Sequence, residues 1–407
     1  MISAMMIPTS EPHPYLIRDA FQRFYPSYLS QHPDLPTEKR KAAECIMKCK
    51  TGELGYNIAV CKECGYTLIH TVSCNNRSCP CCQAPLAKKW EMARNSELIE
   101  GIAYYHVVFT LPHKLNRLIL ANLSVLLALL FHCVQETLLV LCADPRFMGA
   151  KPGIFSVLHT WGQELTFHPH IHACVSGGGI TPCGKFVETR HKGFFIPEAA
   201  IAKMFRGKFL CSLKKLYADG KLSLSLTPEL QAPSAWQSFV DDLFATRWLP
   251  FVKETFNGKG NAVRYLARYS YRTAIANSRI VSVDDKTVTF RYLDYADNRK
   301  EKLRTVAGET FIGLFLLHIL PAGFHRVRFA GYLTNSQKSK CLKLIHRLRN
   351  SVYPGNPCYG LCTSQLMKLF YGRDICICPV CAGQLQYLPR GQPLSTVSFA
   401  ATHLTTN

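Results

Sequence analysis

Two Cys-x-x-Cys pairs, Cys61 with Cys64 and Cys79 with Cys82, stand 14 residues apart in the first hundred residues of the chain. That spacing is close to the pattern in which two knuckles give four thiolates to one tetrahedral zinc ion. Gly65 and Pro80 suit the tight turns that aim main-chain amides at sulfur. The spacing predicts a small metal-stapled module over residues 1–95, with Cys61, Cys64, Cys79 and Cys82 as ligands. Four thiolates leave no open position, so such an ion is architectural. Cys45, Cys49, Cys74, Cys81 and His70 lie near enough to compete as ligands or to build a second site, and spacing does not choose among them. Cys378 and Cys381 form half of another site, with Cys358, Cys362 or Cys376 as candidate partners.

The 407 residues are 48% hydrophobic, enough for two or three domains. Lys and Arg number 48 against 27 Asp and Glu, a formal charge of +21, which makes a polyanion the natural partner. From Thr310 to Arg373 there is no acidic residue, and Arg326 and Arg328 lie there among Phe324, Phe329 and Tyr332. Cations can hold phosphates while aromatic rings stack on unpaired bases, so residues 301–407 are expected to be a basic DNA-binding region. Met1 to Ala20 does not read as a signal peptide, and the expected location is cytoplasmic. Polar residues break the apolar stretch Leu115 to Ala143, which suits a buried helix better than a membrane span. No G-x-x-x-x-G-K-[ST] loop is present, so no nucleotide cofactor is expected.

Strands are expected over Tyr105 to Leu111, Ile154 to Trp161 and His170 to Ser176, the last ended by a turn at Gly177, Gly178 and Gly179. Helices should cover Glu198 to Tyr217, Pro233 to Phe244 and Ala262 to Tyr271, and Ile280 to Tyr292 should form a hairpin. The class is therefore α+β. His168-Pro-His170-Ile-His172 places three imidazoles at alternate positions, and on a strand alternate side chains share a face roughly 6.6 Å apart. His170 and His172 can converge on one divalent ion, with sheet pairing expected to begin after Pro169. A phosphoryl-transfer ion needs an open face, so one further ligand suffices, and Gln163 and His159 rank equally for it.

Tyr265 and Tyr269, four residues apart, share a helical face, and Arg264 and Arg268 beside them can favour a phenolate nucleophile. A tyrosine that attacks a phosphodiester keeps the bond energy for rejoining and needs no ATP.

With these residues in view the chain resembles the insertion sequence 91 family of transposases, within the His-hydrophobe-His (HUH) endonuclease class. The likeness rests on Cys61-Lys-Glu-Cys64-Gly65, Ser73 to Gln83, His106-Val-Val-Phe-Thr-Leu-Pro112, Leu158 to Gln163, His168 to His172, Tyr265-Leu-Ala-Arg-Tyr269 and His318 to Phe324. It implies a ferredoxin-like palm with an antiparallel sheet over residues 96–300, and Mg2+ or Mn2+ at His170 and His172. It also implies rolling-circle transposition, in which Tyr265 and Tyr269 nick single-stranded DNA at element ends and target and take up the 5′ phosphate. A plasmid replication initiator or relaxase would share this chemistry, and an inactive zinc-dependent DNA-binding protein is the alternative of another class. Two departures stand out: Cys81 inside the second knuckle, and Phe311-Ile-Gly-Leu-Phe315 where basic residues are expected.

Overall fold

The computed structural model describes residues 16–190, 195–248, 250–254, 273–389 and 402–404. Two helices, α1 (Ile17–Gln31) and α2 (Thr37–Lys48), precede a hairpin of β1 (Tyr56–Cys61) and β2 (Thr67–Thr71) and a third helix, α3 (Ala84–Asn95). β3 (Tyr104–Thr110) then leads through α4 (Asn116–Ala121) into α5 (Leu123–Ala143). β4 (Lys151–Trp161), β5 (Phe167–Ile180) and β6 (Phe186–Glu188) follow, then α6 (Glu198–Ala218), α7 (Pro233–Ala245) and β7 (Phe251–Glu254). The remainder comprises β8 (Ile280–Val283), β9 (Thr287–Asp294), β10 (Lys300–Ala307), α8 (Gly308–Leu316), β11 (Val327–Gly331), α9 (Lys338–Leu348), α10 (Thr363–Tyr371), β12 (Leu385–Tyr387) and β13 (Thr402–Leu404).

The central sheet has the order β11-β4-β5-β3-β7, every pair antiparallel, with β6 on the end of β5. Alternation along the strands separates its two faces. Tyr105, Val107 and Phe109 of β3 and Ile171, Ala173 and Val175 of β5 bury against α5, α6 and α7. The opposite face carries His106, His159, His170 and His172 and opens into a cleft. α5 is long and apolar enough to cross a membrane, yet it lies in this core, with Leu126, Leu130 and Val134 fully buried.

Two expectations about β5 are corrected. Gly177, Gly178 and Gly179 are strand residues, not a turn. A Cβ at Gly177 would sit 2.9 Å from the Ala103 carbonyl oxygen, and one at Gly179 2.7 Å from that of Lys151, so glycine is needed for close backbone approach. Pro169 lies inside the strand. β5 pairs with β3 only from His170, but Phe167 pairs again with Trp161 of β4 across an irregularity in register that accommodates the proline.

The apolar run in place of expected basic residues also has a structural account. Phe311 and Phe315 of α8 are buried against α1, with Phe315 edge-on to Phe21 at 5.1 Å. Gly308 permits that approach, since a Cβ there would overlap the Phe24 ring. Contacts cross both boundaries expected at residues 95 and 300: α1 and α2 share a core with α8, β8 and β9, and β11 is a strand of the central sheet.

Candidate active site

Strand register brings the histidines together. His159 of β4 is directly opposite His170 of β5, and His172 lies one same-face step along β5. One ring nitrogen from each of His159, His170 and His172 falls within 4.8 Å of the others. Gln163, ranked equally with His159, lines the same cleft. It follows the end of β4, in a turn where the Gly162 amide donates to the Thr166 carbonyl at 3.0 Å, and its amide reaches the Tyr295 hydroxyl at 3.4 Å. His168 stacks on His113 at 5.0 Å instead.

The rings are oriented from behind. The Nδ1–H of His170 donates to the His168 carbonyl at 2.7 Å, which leaves its Nε2 lone pair to face the cluster. Nδ1 of His172 lies 2.9 Å from Nε2 of His106, whose ring stacks parallel to it with an 11° tilt. Sequence reasoning assigned no role to His106, although its alternation with Tyr105 and Val107 already put it on the polar face. Burial lowers the pKa of His170 to about 4 and that of His106 to about 4, so both stay neutral at physiological pH. A group of imidazoles on an open sheet face is a donor set suited to a divalent ion with coordination positions to spare.

The cleft above them encloses about 940 Å³. Its far wall is Ala274 to Ala276, Arg279 and the β9 end with Tyr292, Tyr295 and Arg299. Tyr265, Tyr269, Arg264 and Arg268 lie outside the described residues. Of the cations read as DNA contacts, Arg328 is half-buried with its guanidinium 4.6 Å from the Phe131 ring, and Arg326 lines a small pocket with Trp161 and His318. Arg77 is committed to main-chain carbonyls, donating to Phe324 at 2.6 Å and Pro321 at 2.9 Å.

The four cysteines expected around one ion are divided between two clusters. Cys79 and Cys82 meet Cys49 and Cys74, whereas Cys61 and Cys64 meet Cys378 and Cys381. The reason is the β1–β2 hairpin, which carries the first knuckle on its turn and away from the second. Cys49 and Cys79 are fully buried in the core shared by α1, α2 and α8. Cys81, the odd residue in the knuckle, is not one of the four, and the Asn277 amide lies 3.8 Å from its sulfur. Cys358, Cys362 and Cys376 are not ligand partners of Cys378.

Comparison with known proteins fits this division. A family profile described as a transposase zinc-binding domain matches residues 20–111, and one described as "Putative transposase" matches residues 153–340. The chain is 37% identical over 369 residues to "Putative transposase y4qJ" of Sinorhizobium fredii, covering 90% of this chain and 92% of that protein. It is 27% identical over 350 residues to the "Transposase for insertion sequence element IS801" of Pseudomonas savastanoi pv. phaseolicola, covering 84% and 81%. No solved structure matches it. A thiolate-rich zinc-binding domain joined to a sheet with a histidine cleft thus defines a transposase, a protein that acts on DNA. The chain belongs to the insertion sequence 91 family of these enzymes.

Proposed function

We propose that this transposase is an HUH-class enzyme that nicks and rejoins single-stranded DNA through a tyrosine, in rolling-circle fashion. The observation that carries the reading is the convergence of His159, His170 and His172 on the open face of an antiparallel sheet. The surrounding order supports it: β3, α5, β4, β5, α6 and β7 follow a β-α-β-β-α-β sequence with sheet order β4-β5-β3-β7, the order that a ferredoxin-like palm would have.

A divalent ion at the three imidazoles, Mg2+ or Mn2+, would supply Lewis-acid polarisation of the scissile phosphate. The rest falls to the chain itself. The oxygen of Tyr265 or Tyr269 attacks phosphorus, the bond to the 3′ oxygen breaks, that oxygen takes a proton, and the 5′ phosphate stays on the tyrosine. Rejoining is the reverse attack by a 3′ hydroxyl. Tyr269 is five residues before Ala274 of the cleft wall in sequence. Arg264, Arg268, Arg326 and Arg328, with Arg279 and Arg299 at the cleft, are the cations proposed to hold DNA phosphates.

The test is an adduct assay with 5′- and 3′-labelled single-stranded element-end DNA and Mn2+. A covalent protein–DNA species is expected, lost when Tyr265→Phe and Tyr269→Phe are combined. No adduct with any divalent metal would refute the enzyme reading, and an adduct surviving the double change would refute the nucleophiles. His170→Ala should abolish nicking while DNA binding persists, because the ion acts on the transition state.

A further inference from the structure

We infer that Cys61, Cys64, Cys378 and Cys381 bind a second structural zinc ion, one that clasps the two ends of the chain together. This site is independent of the histidine cleft and of the reading given to it. Two of its four ligands lie beyond residue 340, outside both matched segments, whereas the Cys49 cluster falls wholly within residues 20–111.

The geometry is that of a tetrathiolate site. Sγ of Cys61 lies 3.4 Å from that of Cys381, and Sγ of Cys64 lies 3.7 Å from that of Cys378, with all four within 4.8 Å. With Zn–S near 2.3 Å, the sulfurs of a ZnS4 tetrahedron stand roughly 3.8 Å apart. A disulfide would need about 2.05 Å and would join only pairs.

The two knuckles repeat one another's backbone. In the first, the Gly65 amide donates to the Cys61 carbonyl at 3.1 Å and the Cys61 amide to the Tyr66 carbonyl at 2.9 Å. In the second, the Ala382 amide donates to the Cys378 carbonyl at 3.0 Å and the Cys378 amide to the Gly383 carbonyl at 2.8 Å. Gly65 has φ +71° and Ala382 φ +60°, so the second knuckle holds a left-handed turn without glycine's freedom. The Val380 and Gly383 amides point at the sulfurs of Cys378 and Cys381, each at 3.4 Å.

Strand pairing also joins the ends, β12 with β1 and β13 with β2. β12 pairs with β1 through Cys61 opposite Leu385, and the buried apolar clusters there are small, Ala59, Cys61, Tyr66, Cys378 and Leu385 in one and Ile58 and Ile69, with Leu388 against them, in the other. Cores that small do not support a strand pairing between Cys61 and Leu385, 324 positions apart in sequence, without a staple.

The experiment counts metal in the full-length chain, purified under reducing conditions and carrying His170→Ala so that the imidazole cluster contributes none. Two zinc ions per chain are expected, one after Cys378→Ser with Cys381→Ser, and still two after Cys358→Ser with Cys376→Ser. One zinc in the parent, or two retained in the Cys378/Cys381 variant, would overturn the inference. If that variant does not fold, cobalt titration of the parent decides. The thiolate-to-cobalt absorption should saturate at two equivalents, and saturation at one would overturn it.

Discussion

Replacing His106 by leucine should lower the Mn2+ affinity of the histidine cluster about 10- to 100-fold without DNA present. With an ion on Nε2 of His172, its Nδ1 must carry the proton and donate it, and Nε2 of His106 at 2.9 Å is the acceptor. His106 can accept only while neutral, and burial, which lowers its pKa to about 4, keeps it so. Leucine fills the space, since His106 is only 4% exposed, but it leaves the His172 N–H without its acceptor in a place 8% exposed. An unsatisfied buried donor costs about 1–3 kcal/mol, and 10- to 100-fold is about 1.4–2.8 kcal/mol, so the two routes agree in size. Otherwise the proton moves to Nε2 and blocks coordination, with the same direction of effect. Titration followed by the electron spin resonance of free Mn2+ reads the affinity directly. His106→Gln, whose amide oxygen can accept, should recover part of the loss. Wild-type affinity in His106→Leu, with His172→Ala impaired, would refute the positioning role, as would a glutamine variant no better than leucine.

The third ligand separates in the same titration: His159→Ala should weaken Mn2+ binding about as much as His170→Ala, and Gln163→Ala by less than about twofold, because His159 faces His170 in register whereas Gln163 lies past the end of β4. A second histidine gives a pH signature. His318 donates from Nε2 to the Leu165 carbonyl at 3.0 Å, accepts at Nδ1 from the Thr160 hydroxyl at 3.1 Å, and burial lowers its pKa from 6.5 to about 4. Between those values the unfolded chain binds the proton and the folded chain does not, so this stability is complete above about pH 6.5 and is lost as pH falls toward 4. Wild type should lose on the order of 3 kcal/mol more than His318→Gln over that range in urea unfolding, and parallel curves would refute it. Gly331→Ala should destabilise by about 2 kcal/mol or more, because its φ is +66° and a Cβ would overlap the Pro152 carbonyl oxygen. Gly323→Ala, at φ +71° with open space around it, should cost only about 1 kcal/mol, and equal losses at the two sites would show that the overlap has no effect.

What the sequence could and could not reveal follows from the range of each interaction. The alternation of Tyr105, Val107 and Phe109, and of His170 with His172, is a property of one strand and was legible. The placement of His159 opposite His170 was not, because it depends on strand register, which is set by pairing past the Pro169 irregularity. Gly177 to Gly179 misled for a related reason: glycine marks either a turn or a close backbone approach, and the carbonyls of Ala103 and Lys151 that decide it come from other segments. The cysteine register failed most instructively. A 14-residue gap is compatible with one ion, but the gap holds β2, the return strand of a hairpin whose turn carries the first knuckle, and that keeps the knuckles apart. Each knuckle then has to complete its set from elsewhere, Cys49 and Cys74 for one and Cys378 and Cys381 for the other. Spacing in a Cys-rich chain therefore predicts the number of half-sites well and their pairing poorly, because a knuckle is local and a tetrahedron is not.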